Sequence, residues 1–326
     1  MTKFIRRLQK IGSSILVSLP KEWVDANNLG KGSQVELDTG ESSISISAAM
    51  EHRATKELVI TYPLPKDENI VADITGAYLL GYDIILINSK STLPAEDREK
   101  IRNSTRRLVG MEIIEEDSVH INMQFLLDAT TLSPEKILKR MSSIALGMYN
   151  DVVSCLLADD KSNLQTLSKR DVEVNRQYFL LVRLLRSTLI DKRLANAFNL
   201  GNIDVLDYRV AANLLENTGD SIVELGQHLY SSALSGDHAA KIFDLTKDLD
   251  ALAGKAINAF TTPDRRLAIE AISMHKEYLQ RLASFRTSLL NKKQIPVDIV
   301  DLVYMFERTA KSWADVADLV KPIYDG

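Results

Sequence analysis

The sequence predicts a multidomain fold in three parts: a small β-rich unit over residues 1–50, an α/β domain over 51–130, and an all-α half over 131–326. Three observations carry that division. Up to about residue 48, short apolar runs alternate with a period of two and are separated by glycine turns. From residue 57 to about 127, strand-like and helix-like stretches take turns, which is the pattern of a two-layer α/β arrangement. From residue 133 onward the strand signals vanish and long amphipathic helices follow.

The front of the chain reads RRLQKIGSSILVSLPKEW over residues 6–23. Ile15, Val17 and Leu19 alternate with Leu16 and Ser18, which is strand periodicity, and Gly12-Ser13-Ser14 supplies the turn before it. Pro20 ends the strand and opens a short helix, KEWVDANNL. Gly30 and Gly32 punctuate the next turn, and QVELDT and SSISIS around Gly40 read as a second hairpin. A unit this small buries too little apolar surface to stand alone, so a second copy is expected to complete it.

Charge separates this unit from the rest. The whole chain carries 40 Lys and Arg against 44 Asp and Glu, so it has no general attraction to nucleic acid or anionic lipid. Residues 1–21 hold five basic residues (Lys3, Arg6, Arg7, Lys10 and Lys21) and no acidic one. Any basic function is therefore local. Lys3, Arg6, Arg7 and Lys10 are candidate phosphate contacts, to which Ser13 and Ser14 add hydrogen-bonding hydroxyls. Doubled in a dimer, they reach about six to eight phosphates, enough for binding but not for naming a sequence. A solvated basic face with no nucleic-acid role has the same composition.

The middle of the chain runs ELVITY, NIVADITGAYLLG, YDIILIN, AEDREKIRNSTRRLVG, MEIIEE and SVHINMQFLL. It contains no glycine-rich phosphate loop and no nucleophile elbow. Six helices are expected after it, at about 133–159, 162–192, 203–232, 237–260, 264–291 and 297–324. The first opens with a good cap, Ser133 followed by Pro134 and Glu135. A shift of 100 residues lays 175–189 over 275–289, matching Tyr178 with Tyr278, Arg186 with Arg286 and Leu189 with Leu289. A shift of 91 lays 215–220 over 306–311. The pattern is that of a duplicated three-helix unit, hence two three-helix bundles side by side.

Four residues in the first of these units draw attention. Glu216 and Asp220 stand four apart, as do Asp171 and Asn175 on the preceding helix. Each pair projects from one helical face and could share a hard cation through oxygen ligands. The alternative is a solvated stripe ion-paired with Arg209 or Arg176. In the second unit Ala271 and His275 replace the first pair, and Lys311 stands beside Glu307 in the second, so at most one cation site is expected.

The remaining candidates are weaker. His52, His120, His228, His238 and His275 lack metal-ligand spacing, and Trp23 and Trp313 read as packing anchors. Asp171 and Glu173, two apart, face different ways, so no acid/base pair is expected and no enzyme. One cysteine, Cys155, fits a reducing compartment and a cytoplasmic protein. The apolar run over 15–19 is shorter than the roughly 7 to 15 residues of a signal-peptide core. YFLLVRLL is interrupted by Arg183, far short of the about 20 residues a membrane span requires.

Two resemblances organise these readings. KIGSS, ILVSLPKEW and KGSQVELD, in that order, resemble the AbrB-type swapped-hairpin domain of bacterial transition-state regulators, antitoxins and archaeal regulators. That resemblance implies two chains interleaving hairpins into one barrel, with the basic strands facing DNA. KRDVEVNRQYFLLVRLLR and RVAANLLENTGDSI resemble the PhoU family of phosphate-uptake regulators, over roughly 133–324. That resemblance implies that Asp171, Asn175, Glu216 and Asp220 are metal ligands, with Asn175 standing where the family prefers a carboxylate. Three carboxylates and an amide suit Mg, Ca, Mn or Fe. The combination is similar to archaeal PhoU-like regulators. It implies a homodimeric DNA-binding transcriptional regulator linked to phosphate uptake, its helical half sensing a signal or a partner. The alternative is an interaction protein that does not bind DNA and docks on a phosphate transporter or sensor kinase through its bundles.

Overall fold

The computed structural model describes residues 4–39, 43–48, 55–232, 234–290 and 297–320. Lys3, His52 and the turn at Gly40 lie outside the described residues. The chain divides into two compact units, Met1–Ala54 and Thr55–Gly326.

In the first unit β1 (Gln9–Ile11) and β2 (Ser14–Leu16) pair antiparallel, with Gln9 opposite Leu16 and Lys10 opposite Ile15. Gly12 turns the chain between them at φ +62°, a conformation glycine adopts without steric cost. After α1 (Lys21–Ala26), β3 (Val35–Thr39) and β4 (Ile44–Ala48) form a second antiparallel pair. The strand expected to run through Leu19 stops at Leu16. The described residues before Gln9 do not pair, so Val17 and Leu19 have no ladder partner among the described residues. Among the described residues of this unit none is buried, and Ile5 (94%), Leu8 (71%), Ile15 (61%) and Ile44 (67%) lie open to solvent.

The second unit begins with β5 (Glu57–Tyr62), α2 (Ile70–Leu79), β6 (Ile84–Ser89), α3 (Ala95–Arg106), β7 (Met111–Glu116) and β8 (His120–Phe125). Its sheet has the order β5-β6-β8-β7; β5 and β6 are parallel, and β8 lies antiparallel between β6 and β7. Two helical crossovers followed by a hairpin thus give the expected two layers. Ile60, Ile85, Ile87, Ile121 and Met123 pack with Ile74, Tyr78 and Ile101 of α2 and α3 in one core.

Helices complete the chain: α4 (Pro134–Cys155), α5 (Leu167–Thr188), α6 (Lys192–Phe198), α7 (Asn202–Ser231), α8 (Gly236–Thr246), α9 (Leu249–Thr261), α10 (Arg265–Leu290) and α11 (Val297–Asp318). The Ser133 hydroxyl caps α4 by accepting from the Lys136 N–H, with Pro134 in the first turn. Helices α4, α5 and α7 pack on one another, as do α9, α10 and α11. The two bundles meet along α7 and α11 and share one continuous core. Trp313 is fully buried there, edge-on to Tyr149 at 5.1 Å, so it is the packing anchor expected.

Two helices differ from expectation. The single helix expected over 237–260 is broken into α8 and α9, and at the break the buried Tyr149 hydroxyl donates at 2.7 Å to the Thr246 carbonyl. The short α6 was not expected. Asp191 caps it by accepting from the Arg193 N–H, and Asn199 ends it at φ +52°.

Candidate functional site

The basic segment presents its described cations to solvent. Arg6 and Arg7 precede β1, Lys10 lies within it, Ser13 sits in the turn and Ser14 opens β2; all five are exposed. Arg6 rests over the Phe4 ring at 5.5 Å and donates to the Ile5 carbonyl. Among the described residues none of Arg6, Arg7 and Lys10 has a carboxylate partner. Because Lys10 and Ile15 are opposite in register they share a face, while Ile11 and Leu16 lie on the other. Both faces therefore present apolar surface next to the charge, and these residues lie exposed.

The acidic residues converge across α5 and α7. Asp171 is 9% exposed, and its Oδ2 accepts from the Asn175 amide at 2.8 Å. Its Oδ1 is buried with no hydrogen-bond partner and faces Gly219, where a Cβ would stand 2.6 Å away. The glycine inside α7 is what lets the two helices approach closely enough to bury this carboxylate. Burial, together with the charges of Asp220 and Glu216, lifts the Asp171 carboxyl from its usual range to about 6. Burial and then Asp220 also lift Glu216.

Neither Glu216 nor Asp220 forms an ion pair among the described residues. Arg209 lies instead over the Tyr178 ring at 5.2 Å, and Arg176 donates to Glu173 at 2.8 Å. Asp220 and Glu216 thus raise the proton affinity of Asp171, and Asp220 that of Glu216, while the Asn175 amide stabilises the Asp171 carboxylate; the oxygens of these four residues are of the kind that suits a hard ion. As placed, no three His, Cys, Asp or Glu side chains among the described residues stand together as a metal-binding group. In the second bundle, Ala271 is buried, and Glu307 is ion-paired with Arg286 rather than compensated by Lys311 alone. His275 has a buried Nε2 without a partner.

Sequence reasoning missed one residue that the fold depends on. Arg183, 3% exposed on α5, donates to the carbonyls of Tyr78 and Tyr82 at 2.8 Å each and to the Asp83 carboxylate at 3.2 Å. Its guanidinium also lies 3.9 Å from the centre of the Phe125 ring. The charge that interrupts an apolar helix is the bolt between that helix and the α/β layer. An arginine in the middle of YFLLVRLL was the available signal.

Comparison with known proteins adds two matches. Residues 8–49 match the family of MazE, a bacterial antitoxin described as an antidote-toxin recognition protein, and residues 138–229 match the PhoU domain. The chain therefore carries an antitoxin-type region of the MazE/AbrB kind at its front and a PhoU domain on α4, α5 and α7. Asp171, Asn175, Glu216 and Asp220 all fall within the PhoU match, which stops before the second bundle. Lys10, Ser13 and Ser14 fall within the antitoxin match; Arg6 and Arg7 precede it. No curated protein matches the chain. Among solved structures, PhoU from Pseudomonas aeruginosa is similar at 15% identity and a TM-score of 0.39, over 57% of this chain and 93% of that one. No helix among the described residues is long and apolar enough to cross a membrane.

Proposed function

We propose that this protein is a non-enzymatic, homodimeric DNA-binding regulator of phosphate homeostasis that acts in the cytoplasm. The observation that carries the proposal is the first unit: exposed cations without carboxylate partners, on a pair of hairpins with no buried residue among those described. Open apolar faces of this kind call for a second copy. A second copy doubles the cations and sets two basic segments against the phosphate backbone. The antitoxin-type match over the same stretch supports that reading, and the PhoU match supports the link to phosphate.

The helical half is the sensing part in this proposal. Asp171, Asn175, Glu216 and Asp220 would hold a hard cation such as Mg, Ca, Mn or Fe. When bound, that ion would neutralise carboxylates that otherwise repel one another across α5 and α7. A phosphate transporter or sensor protein docked on the bundles would act on the same helices. Either event would bias the geometry of the two basic segments and so couple the signal to DNA affinity. The test is a mobility-shift titration of the full chain on its own promoter DNA at low and high salt. A salt-sensitive shift is expected, and none at low salt would overturn the DNA-binding part.

A further inference from the structure

The α/β domain holds a cavity of about 520 Å³, outside both of the sites above. It opens between the end of α3, the edge strand β7 and Arg176 of α5. Its size lies within the roughly 300 to 1,000 Å³ of small-molecule pockets. Three guanidinium groups line it, from Arg102, Arg106 and Arg176, against two carboxylates, Glu112 and Glu116, which leaves the lining one positive charge in excess.

These charges differ in how far they are already satisfied. Glu116 accepts both prongs of Arg102, at 3.2 and 2.8 Å, and also has Arg98 at 3.8 Å, so it adds little negative charge to the cavity. Arg106 forms no ion pair among the described residues; it donates only to the Asn103 side chain at 3.3 Å. Arg176 is held by Glu173 through one Nη, but its Nε–H is buried with no partner. Two guanidinium groups, neither fully engaged by a carboxylate, thus line one cavity from two different helices. A planar carboxylate is taken by one guanidinium fork, whereas a tetrahedral phosphate accepts from several sides. The negative end of α3 opposes any anion here, but more weakly than a charge-assisted arginine contact favours one. Half-buried Ile113 adds apolar lining suited to an organic group, with the buried Leu108 and Met111 behind it.

We infer that this cavity binds a small phosphate-bearing molecule, its phosphate between Arg106 and Arg176 and its organic part along Ile113. The inference rests on the arginine geometry and not on the PhoU match, so it stands or falls separately from the DNA-binding proposal. The experiment is calorimetric titration of the full chain with inorganic phosphate, adenosine monophosphate and adenosine. Saturable binding is expected for the phosphate-bearing probes and none for adenosine. Arg106→Ala should weaken it about tenfold, the loss of one charge-assisted contact. Glu112→Gln should tighten it by removing the carboxylate left without an ion-pair partner among the described residues. Arg106→Gln serves in place of the alanine variant should that one lose its fold. No saturable heat with either phosphate-bearing probe up to about 10 mM, equal binding of adenosine, or an affinity unchanged in the folded Arg106 variant would each overturn the assignment.

Discussion

Replacing Arg183 by alanine tests whether the α/β layer and the helical bundles form one mechanical unit. In the folded chain this guanidinium is 3% exposed and serves two carbonyls and one carboxylate. Removing one partner of a buried charged pair costs about 3 to 5 kcal/mol, chiefly through the group left behind. Here that residue of cost is reduced. The Asp83 carboxylate still accepts from the Lys56 N–H at 2.9 Å, and the Tyr78 carbonyl still accepts from the Gly81 N–H at 3.0 Å. The low end, about 3 kcal/mol, is therefore expected, with part of it from the lost contact over Phe125. Arg183→Lys keeps the charge but loses the fork that reaches two carbonyls at once, and should cost about half as much. Urea denaturation of the full chain reads the loss, and hydrogen exchange should show the amides of α2 losing protection in the alanine variant. Stability within about 0.5 kcal/mol of the parent, with α2 protection unchanged, would refute the reasoning.

Three further outcomes follow from the same geometry. A fragment ending near residue 49 should sediment as a dimer, because its single chain buries no described residue; a stably folded monomer at micromolar concentration would contradict the second copy. Divalent cation should raise the melting temperature of the full chain, and the Glu216→Gln, Asp220→Asn double variant should lose that rise while being more stable in chelator. Glu307→Gln, by contrast, leaves the cation response intact, since Glu307 already has Arg286. Chelator-insensitive melting of the parent chain would remove the cation from the account. Asp171 gives a pH signature in chelated protein. Its folded value of about 6 lies above the usual 3.8, so the folded state holds the proton more tightly. Stability should then be highest below about pH 4, fall as pH rises towards 6 and level off above. Asp171→Asn should flatten that fall and add at most about 3 kcal/mol at neutral pH.

The sequence carried what periodicity and local chemistry encode. Amphipathic stripes marked the long helices, Ser133-Pro134 marked the start of α4, and the charge asymmetry of residues 1–21 marked the basic segment. Tertiary partners left no such trace. The break at Thr246 is associated with the Tyr149 hydroxyl, about a hundred residues away in sequence. Nothing around residue 246 foretells it. Arg183 read as an interruption because its partners are backbone carbonyls, which every residue has. Gly219 carries no pattern that foretells its role, although its missing side chain is what seats Asp171. The end of β2 at Leu16 depends on β1 being three residues long, a length that period-two alternation cannot show. The acidic cluster was legible as i, i+4 pairs, whereas its lack of arginine ion pairs among the described residues was legible only in three dimensions.

The DNA-binding proposal is tested most directly by the salt dependence of DNA affinity in the full chain and in the Arg6→Ala, Arg7→Ala, Lys10→Ala variant. Three cations per chain in a dimer can touch about six phosphates, and each contact contributes a slope of about −0.9 in log affinity against log salt. Fluorescence anisotropy on promoter DNA should therefore give a slope near −5 for the parent chain and a nearly flat, far weaker curve for the variant, with sedimentation showing the same dimer in both. Equal affinity and equal slope in the folded, dimeric variant would contradict the account.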